Sequence, residues 1–235
     1  MTTGPAPDAG APADPDAARR RFLRDLGLLA AAGIAPGTAA AATPAACLLT
    51  PSATEGPFYL DDALVRADIR DGRPGQPLRL RIRVVDAGRG CAPVPGALVS
   101  IWHCDAQGHY SGEGRSEGRT DRQARFLRGV QPADRDGVAT FTSIYPGWYA
   151  PRAIHIHFKV LLGSAEALTS QLYFSDALNR EVLGSHPAYR AHGVPARATV
   201  QDPIAGPRPN LVEVRQAADA AGMLEGRFTV GIARA

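Results

Sequence analysis

The chain has 235 residues, 45% of them hydrophobic and 21% charged, a balance that excludes a disordered or fibrous protein and leaves room for one domain or one and a half. Its 25 glycines and 20 prolines follow no collagen period and point to many turns rather than long helices. The net charge of +3 comes from arginines scattered among acids, with Lys159 the single lysine, so no basic stripe marks a nucleic-acid partner.

Residues 1–16 are Pro, Ala, Asp, Gly and Thr with almost nothing to bury, and disorder is expected there. Arg19, Arg20 and Arg21 then precede Phe22 and Leu23, an apolar run over 26–35 and a small-residue stretch over 37–42. That order matches the basic, hydrophobic and cleavage regions of a signal peptide, and the paired arginines resemble the twin-arginine export signal. The apolar run is too short for a permanent membrane span. The expectation is therefore a leader over 1–46, cleavage between Ala40 and Cys47, and an exported mature domain over 47–235. Twin-arginine export moves folded proteins, which suits an enzyme that loads a metal inside the cell.

In the mature chain, Leu78, Leu80, Ile82 and Val84 alternate with Arg79, Arg81 and Arg83, a period of two that makes a half-buried strand. Segments 97–103, 137–143, 153–161, 170–174, 211–215 and 227–232 read similarly and are separated by turn clusters. Short helices are expected over 176–183 and 186–191, with a turn over 216–221 before the last strand. Six or seven short strands with so little helix predict an all-β fold, a β-sandwich.

Three cysteines without CxxC spacing exclude a zinc knuckle and a thioredoxin motif. Cys47 and Cys91 fall in predicted loops and are expected to pair in an oxidising compartment, leaving Cys104 as a buried free thiol on a strand. Trp102, Trp148 and Phe158 are read as core, with Trp148 also able to line the mouth of a site.

His155-Ile156-His157 lies inside the strand predicted over 153–161. At spacing i, i+2 both imidazoles leave one face, roughly 6.5 Å apart along the backbone, while Ile154, Ile156, Phe158 and Val160 point to the other. A lone His-x-His serves a metal or an ordinary polar face equally well. Here Tyr145 and Tyr149 come just before it, with Arg152 between, and Tyr110 ends the segment IWHCDAQGHY. Two phenolates with two imidazoles suit a hard trivalent ion, whereas zinc and copper sites recruit Cys, His or carboxylate. Iron is the expected metal.

At these residues the chain resembles the intradiol ring-cleavage dioxygenases, the family of protocatechuate 3,4-dioxygenase and catechol 1,2-dioxygenase, in its compact, secreted-looking branch. The resemblance runs through TEGPFYL (54–60), IWHCDAQGHYSG (101–112), YPGWYAPRAIHIHFKV (145–160) and SQLYF (170–174). It implies non-haem Fe(III) held by Tyr110, Tyr149, His155 and His157, with Tyr149 chosen over Tyr145 because the ligand follows Pro-Gly-x. It implies Arg152 and Gln171 beside the substrate, and Tyr149 also acting as a base. The activity implied is cleavage of a catechol-type ring by O2 between the hydroxylated carbons, to a cis,cis-muconate-type product.

Two other classes compete. VPGA (94–97), DGVATF (136–141) and the Pro-Gly-x-Tyr turn also resemble transthyretin-like or carboxypeptidase-regulatory sandwiches, which are non-catalytic binding modules, but those do not predict Tyr110 together with His155 and His157. A zinc hydrolase would need an acidic residue in a metalloprotease motif beside the His pair.

Overall fold

The computed structural model describes residues 1, 47–61, 64–113, 122–195 and 197–234. The chain divides into two units, Met1–Thr43 and Pro44–Ala235, and the secondary structure described here belongs to the second. Apart from Met1, the leader expected over 1–46 lies outside the described residues. No helix among the described residues is long and apolar enough to cross a membrane.

The domain is mainly β, with nine strands in two sheets among the described residues. They are β1 (Pro77–Asp86), β2 (Ala92–Pro93), β3 (Leu98–Trp102), β4 (Arg128–Pro132), β5 (Val138–Ile144), β6 (His155–Leu162), β7 (Ala165–Tyr173), β8 (Glu213–Gln216) and β9 (Leu224–Ile232). In the first sheet β1 is central: β9 pairs with it in parallel from Leu78↔Leu224 to Asp86↔Ile232, and β8 extends β9. The opposite edge of β1 takes β5 along Pro77–Arg83 and β2 at its last two residues. The second sheet runs β4-β3-β6-β7, every neighbouring pair antiparallel.

The expected alternation in β1 holds. Leu78, Leu80, Ile82 and Val84 are fully buried and meet Val99, Ile101, Ile156, Phe158 and Val160 of the second sheet in one apolar cluster. Burial of these side chains is the main force that holds the sheets face to face. Strand β6 differs from a half-solvated strand: its first six residues are buried on both faces, so His155, His157 and Lys159 are as covered as the core residues between them.

Several elements differ from the sequence expectation. Strand β4 was not foreseen, and β7 begins at Ala165 rather than 170, forming a tight hairpin with β6 through Gly163, whose φ of 63° is the left-handed value such a turn requires. Among the described residues one α-helix, α1 (Asp176–Ser185), matches the expected helix and is capped by Ser175, whose side chain accepts from the Leu178 N–H. The helix expected over 186–191 is only a 3-10 turn at Pro187–Tyr189, because His186 precedes a proline and is extended.

Candidate metal centre

The outer face of the second sheet carries a lateral row of paired residues, Arg128 on β4, Trp102 on β3, His157 on β6 and Gln171 on β7. Directly opposed residues on adjacent strands share a face, so this row presents a guanidinium, an indole, an imidazole and an amide side by side. One step along, His155 is paired with Tyr173. The indole of Trp102 stacks on the His157 ring with centroids 5.0 Å apart and planes within 12°.

Two loops bring the tyrosines over this row. Asp105 shapes the first by accepting from the Gln107 and His109 N–H groups at 3.0 and 2.9 Å, an Asx turn that delivers Tyr110. The second carries Tyr149 and packs directly on the first, where the Gly147 N–H donates to Asp105 O at 3.1 Å. A Cβ at Gly147 would stand 2.5 Å from Asp105 O, and one at Gly108 would collide with the carbonyl of Trp148. Both glycines are therefore needed for the loops to touch and for Tyr110 and Tyr149 to meet, their ring centroids 5.8 Å apart.

The four side chains converge. The Nε2 atoms of His155 and His157 are 3.0 Å apart, and the Tyr149 hydroxyl lies 3.4 Å from His155 Nε2. The Ala153 carbonyl, 2.7 Å from His155 Nδ1, can only accept, so Nδ1 carries the proton and the Nε2 lone pair faces the junction. Neither the Tyr110 hydroxyl nor His157 Nδ1 has a hydrogen-bond partner among the described residues, although both are buried.

Burial sets the charges. It lowers the His155 pKa to about 3, with Arg152 adding to the effect, and holds His157 well below the usual histidine range, so both imidazoles are neutral and their lone pairs available. It also pushes the Tyr110 phenol well above its usual range and raises Tyr149. Without a cation both phenols stay protonated; a bound multivalent cation reverses that preference. Among the described residues no group of three or more His, Cys, Asp or Glu could hold a metal. Two neutral imidazoles and two phenols, one of them the buried Tyr110 hydroxyl without a partner among the described residues, fit a hard trivalent ion.

Arg152 lies beside the junction, turned back by its N–H donating to Tyr149 O at 2.8 Å. Its Nη1 is 3.5 Å from His155 Nε2, its Nη2 donates to Gln171 Oε1 at 2.5 Å and Tyr173 Oη at 3.2 Å, and its Nε donates to Asp202 Oδ2 at 2.9 Å. Gln171 is fully buried, and its Nε2 donates to Thr54 O at 2.9 Å. The amide therefore holds the arginine and the covering segment.

That segment is TEGPFY, residues 54–59. Phe58 stacks on Tyr110 at 4.3 Å, Tyr59 leans on Trp102 at 4.9 Å, and Glu55 is ion-paired with Lys159. Arg128 ties the cover down by donating to Phe58 O at 2.5 Å and to Ser111 Oγ and O at 2.8 and 2.7 Å.

Other expectations sort themselves by contact. Tyr145 is core, its hydroxyl donating to Asn179 Oδ1 at 2.6 Å, and Phe158 is core as expected. Trp102 is buried but packs with Tyr110, Phe58 and Tyr59 on the tyrosine–histidine face rather than in the main core. Trp148 packs against the main core with its indole N–H donating to Gly193 O at 2.9 Å. Cys47 and Cys91 are bonded to each other, and Cys104 is a buried free thiol. Asp202 and Arg128 carry no motif, and Tyr173, although inside SQLYF, was given no role; only the folded chain brings the three to Arg152 and the tyrosine–histidine junction.

A two-sheet β-protein with a buried Tyr₂His₂ junction is thus defined by fold and site. A dioxygenase family model matches residues 51–183, more than half of the chain, and the chain belongs to the intradiol ring-cleavage dioxygenase family. It is 32% identical over 145 residues to catechol 1,2-dioxygenase 2 of Acinetobacter lwoffii, covering 52% of this chain and 50% of that protein. It is 28% identical over 190 residues to a catechol 1,2-dioxygenase of Pseudomonas sp. (strain EST1001), covering 64% of this chain and 60% of the relative. The chain thus spans 50% and 60% of the lengths of these two curated relatives. Among solved structures, an intradiol ring-cleavage dioxygenase from Tetranychus urticae aligns with a TM-score of 0.70 and 26% identity, over 80% of this chain and 95% of that one. The dioxygenase domain of a dioxygenase carbohydrate-binding protein fusion from Streptomyces sp. SirexAA-E aligns at 0.55 and 29%, over 80% and 99%.

Proposed function

We propose that this protein is a non-haem Fe(III) dioxygenase that opens a catechol-type ring between its two hydroxylated carbons with O2, giving a cis,cis-muconate-type product. The observation that carries this reading is the convergence of Tyr149 and the two imidazole Nε2 atoms beside the unpartnered, buried Tyr110 hydroxyl. The names of its relatives support the same chemistry.

Tyr110, Tyr149, His155 and His157 would hold the iron. Bound there, ferric iron would supply the pull on ring electrons that makes an oxygen-bearing carbon of a catechol reactive toward O2, with no external reductant. Phenolates at Tyr110 and Tyr149 would offset two of its three positive charges and leave the site attractive to an anionic catecholate. Tyr149 is only half-buried whereas Tyr110 is 4% exposed, so Tyr149 Oη is the oxygen placed to accept a catechol proton. The Arg152 guanidinium stabilises negative charge as it builds on the ring. Phe58, Tyr59 and Trp102 cover the face and keep water away from it.

Export of the mature chain is part of the proposal. The Cys47–Cys91 bond supports it, because such bonds persist in oxidising compartments. Oxygen uptake by the ferric protein over a panel of catechols, with product identification, tests the activity. A muconate-type diacid is expected; a yellow semialdehyde, or no turnover of any catechol, contradicts it.

A further inference from the structure

Asp202 lies 50 residues beyond Arg152, just after the 3-10 turn Thr199–Gln201 and outside the segment matched by the family model. Its side chain is completely buried, against 8% exposure for that of Arg152. Oδ2 accepts from Arg152 Nε at 2.9 Å and from the Ala153 N–H at 2.7 Å. Oδ1 accepts from the N–H groups of Ile204 and Ala205 at 2.9 and 3.1 Å. The carboxylate is thereby fixed by three backbone donors on two segments, independently of the guanidinium. Burial alone would raise its pKa, but Arg152 and the backbone donors outweigh burial and keep it below the usual range.

A guanidinium is a rigid planar fork, so fixing two of its nitrogens fixes the third. Asp202 takes Nε, and Gln171 with Tyr173 takes Nη2. Nη1 is then the nitrogen turned toward the junction, 3.5 Å from His155 Nε2. The same Oδ2 also accepts from the Ala153 N–H, which anchors the carboxylate beside Arg152 Nε.

We propose that Asp202 is a positioning residue for ring cleavage, holding Arg152 with Nη1 aimed at the reacting substrate. This rests on the reading of Arg152 as the cation that faces the catechol. A buried ion pair that served only the fold would look similar in the structure, and the two roles part when Arg152 is removed.

The experiment uses the ferric holoprotein with unsubstituted catechol and O2, comparing wild type, Asp202→Asn, Arg152→Met and the double variant. Asp202→Asn should lower kcat by about tenfold to a hundredfold with KM changed by less than about threefold. The visible tyrosinate-to-iron band of the resting protein should be unchanged. In the Arg152→Met background the same substitution should change kcat by less than about twofold, because there is no longer a guanidinium to aim. Asp202→Glu is the second variant should the asparagine leave Arg152 uncompensated and the chain unfolded; it keeps the charge, displaces it by one methylene, and should also lower kcat with the band retained. Wild-type kcat in a folded Asp202 variant, or an equal loss with and without Arg152, overturns the positioning role while leaving the dioxygenase reading intact. An iron-loaded wild type that turns over no catechol overturns both.

Discussion

The Nε2 atoms of His155 and His157 stand 3.0 Å apart, and the Ala153 carbonyl holds the His155 proton on the far side of its ring. Two neutral imidazoles thus turn toward one point, where the proposed function has them share a cation. Replacing either by Ala should cut iron content at least about tenfold, the scale associated with disturbing even the supporting shell of a metal site. Metal analysis of folded, purified variants checks this.

Tyr110→Phe should act in opposite directions on the two forms of the protein. The hydroxyl is buried and has no partner among the described residues, so its removal should leave the metal-free protein as stable as before or firmer by about 1–2 kcal/mol. In the iron-loaded protein the same change removes a phenolate ligand and should lower stability. Urea midpoints of apo and ferric forms, measured side by side, read both signs.

Acid should destabilise the metal-free protein through buried histidines. His103 is fully buried between the Cys104 carbonyl at 2.8 Å and Ser143 Oγ at 2.7 Å, and burial lowers its pKa from 6.5 to about 4. The unfolded chain takes up this proton below 6.5 while the folded chain does not, so the stability that the neutral ring contributes is full above that pH and is lost progressively toward 4. The loss from this group is on the order of 3 kcal/mol. His155, lowered to about 3, steepens the slope further. Urea midpoints between neutral and acid pH should fall for wild type and fall less for His103→Gln.

The Cys47–Cys91 bond closes a sequence separation of 44 residues, for which loop entropy predicts about 3–4 kcal/mol of stabilisation. The double serine variant should lose that much in denaturant melts. Burial pushes the Cys104 thiol up and hides it, so alkylation should reach it only after unfolding. Lysines in place of Arg19 and Arg20 should retain the protein in the cytoplasm, as followed by fractionation.

Much of the site was legible because its chemistry is local. His155-x-His157 shares a strand face by backbone geometry alone, and Tyr149 follows a Pro-Gly turn four residues after Tyr145. What was illegible depends on tertiary pairing. Strand β4 reads RGVQP, with no alternating run, and becomes a strand only beside β3. The first half of β7 is AEALT, rich in helix formers, and is drawn into the sheet by the hairpin with β6. Trp102 looked like core because an indole on a strand usually is; its register opposite His157 puts it on the other face. Asp202 has no signal of its own, since an aspartate in a loop is ordinary until the fold places Arg152 against it.

Ferric titration of the metal-free protein, followed in the visible range, tests the central claim most directly. The account predicts a red to burgundy chromophore that saturates at about one iron per chain, from phenolate-to-Fe(III) charge transfer. The band should shift or weaken in Tyr110→Phe and in Tyr149→Phe, and vanish when both are replaced. A protein that stays colourless with iron, or a band indifferent to both substitutions, would contradict it.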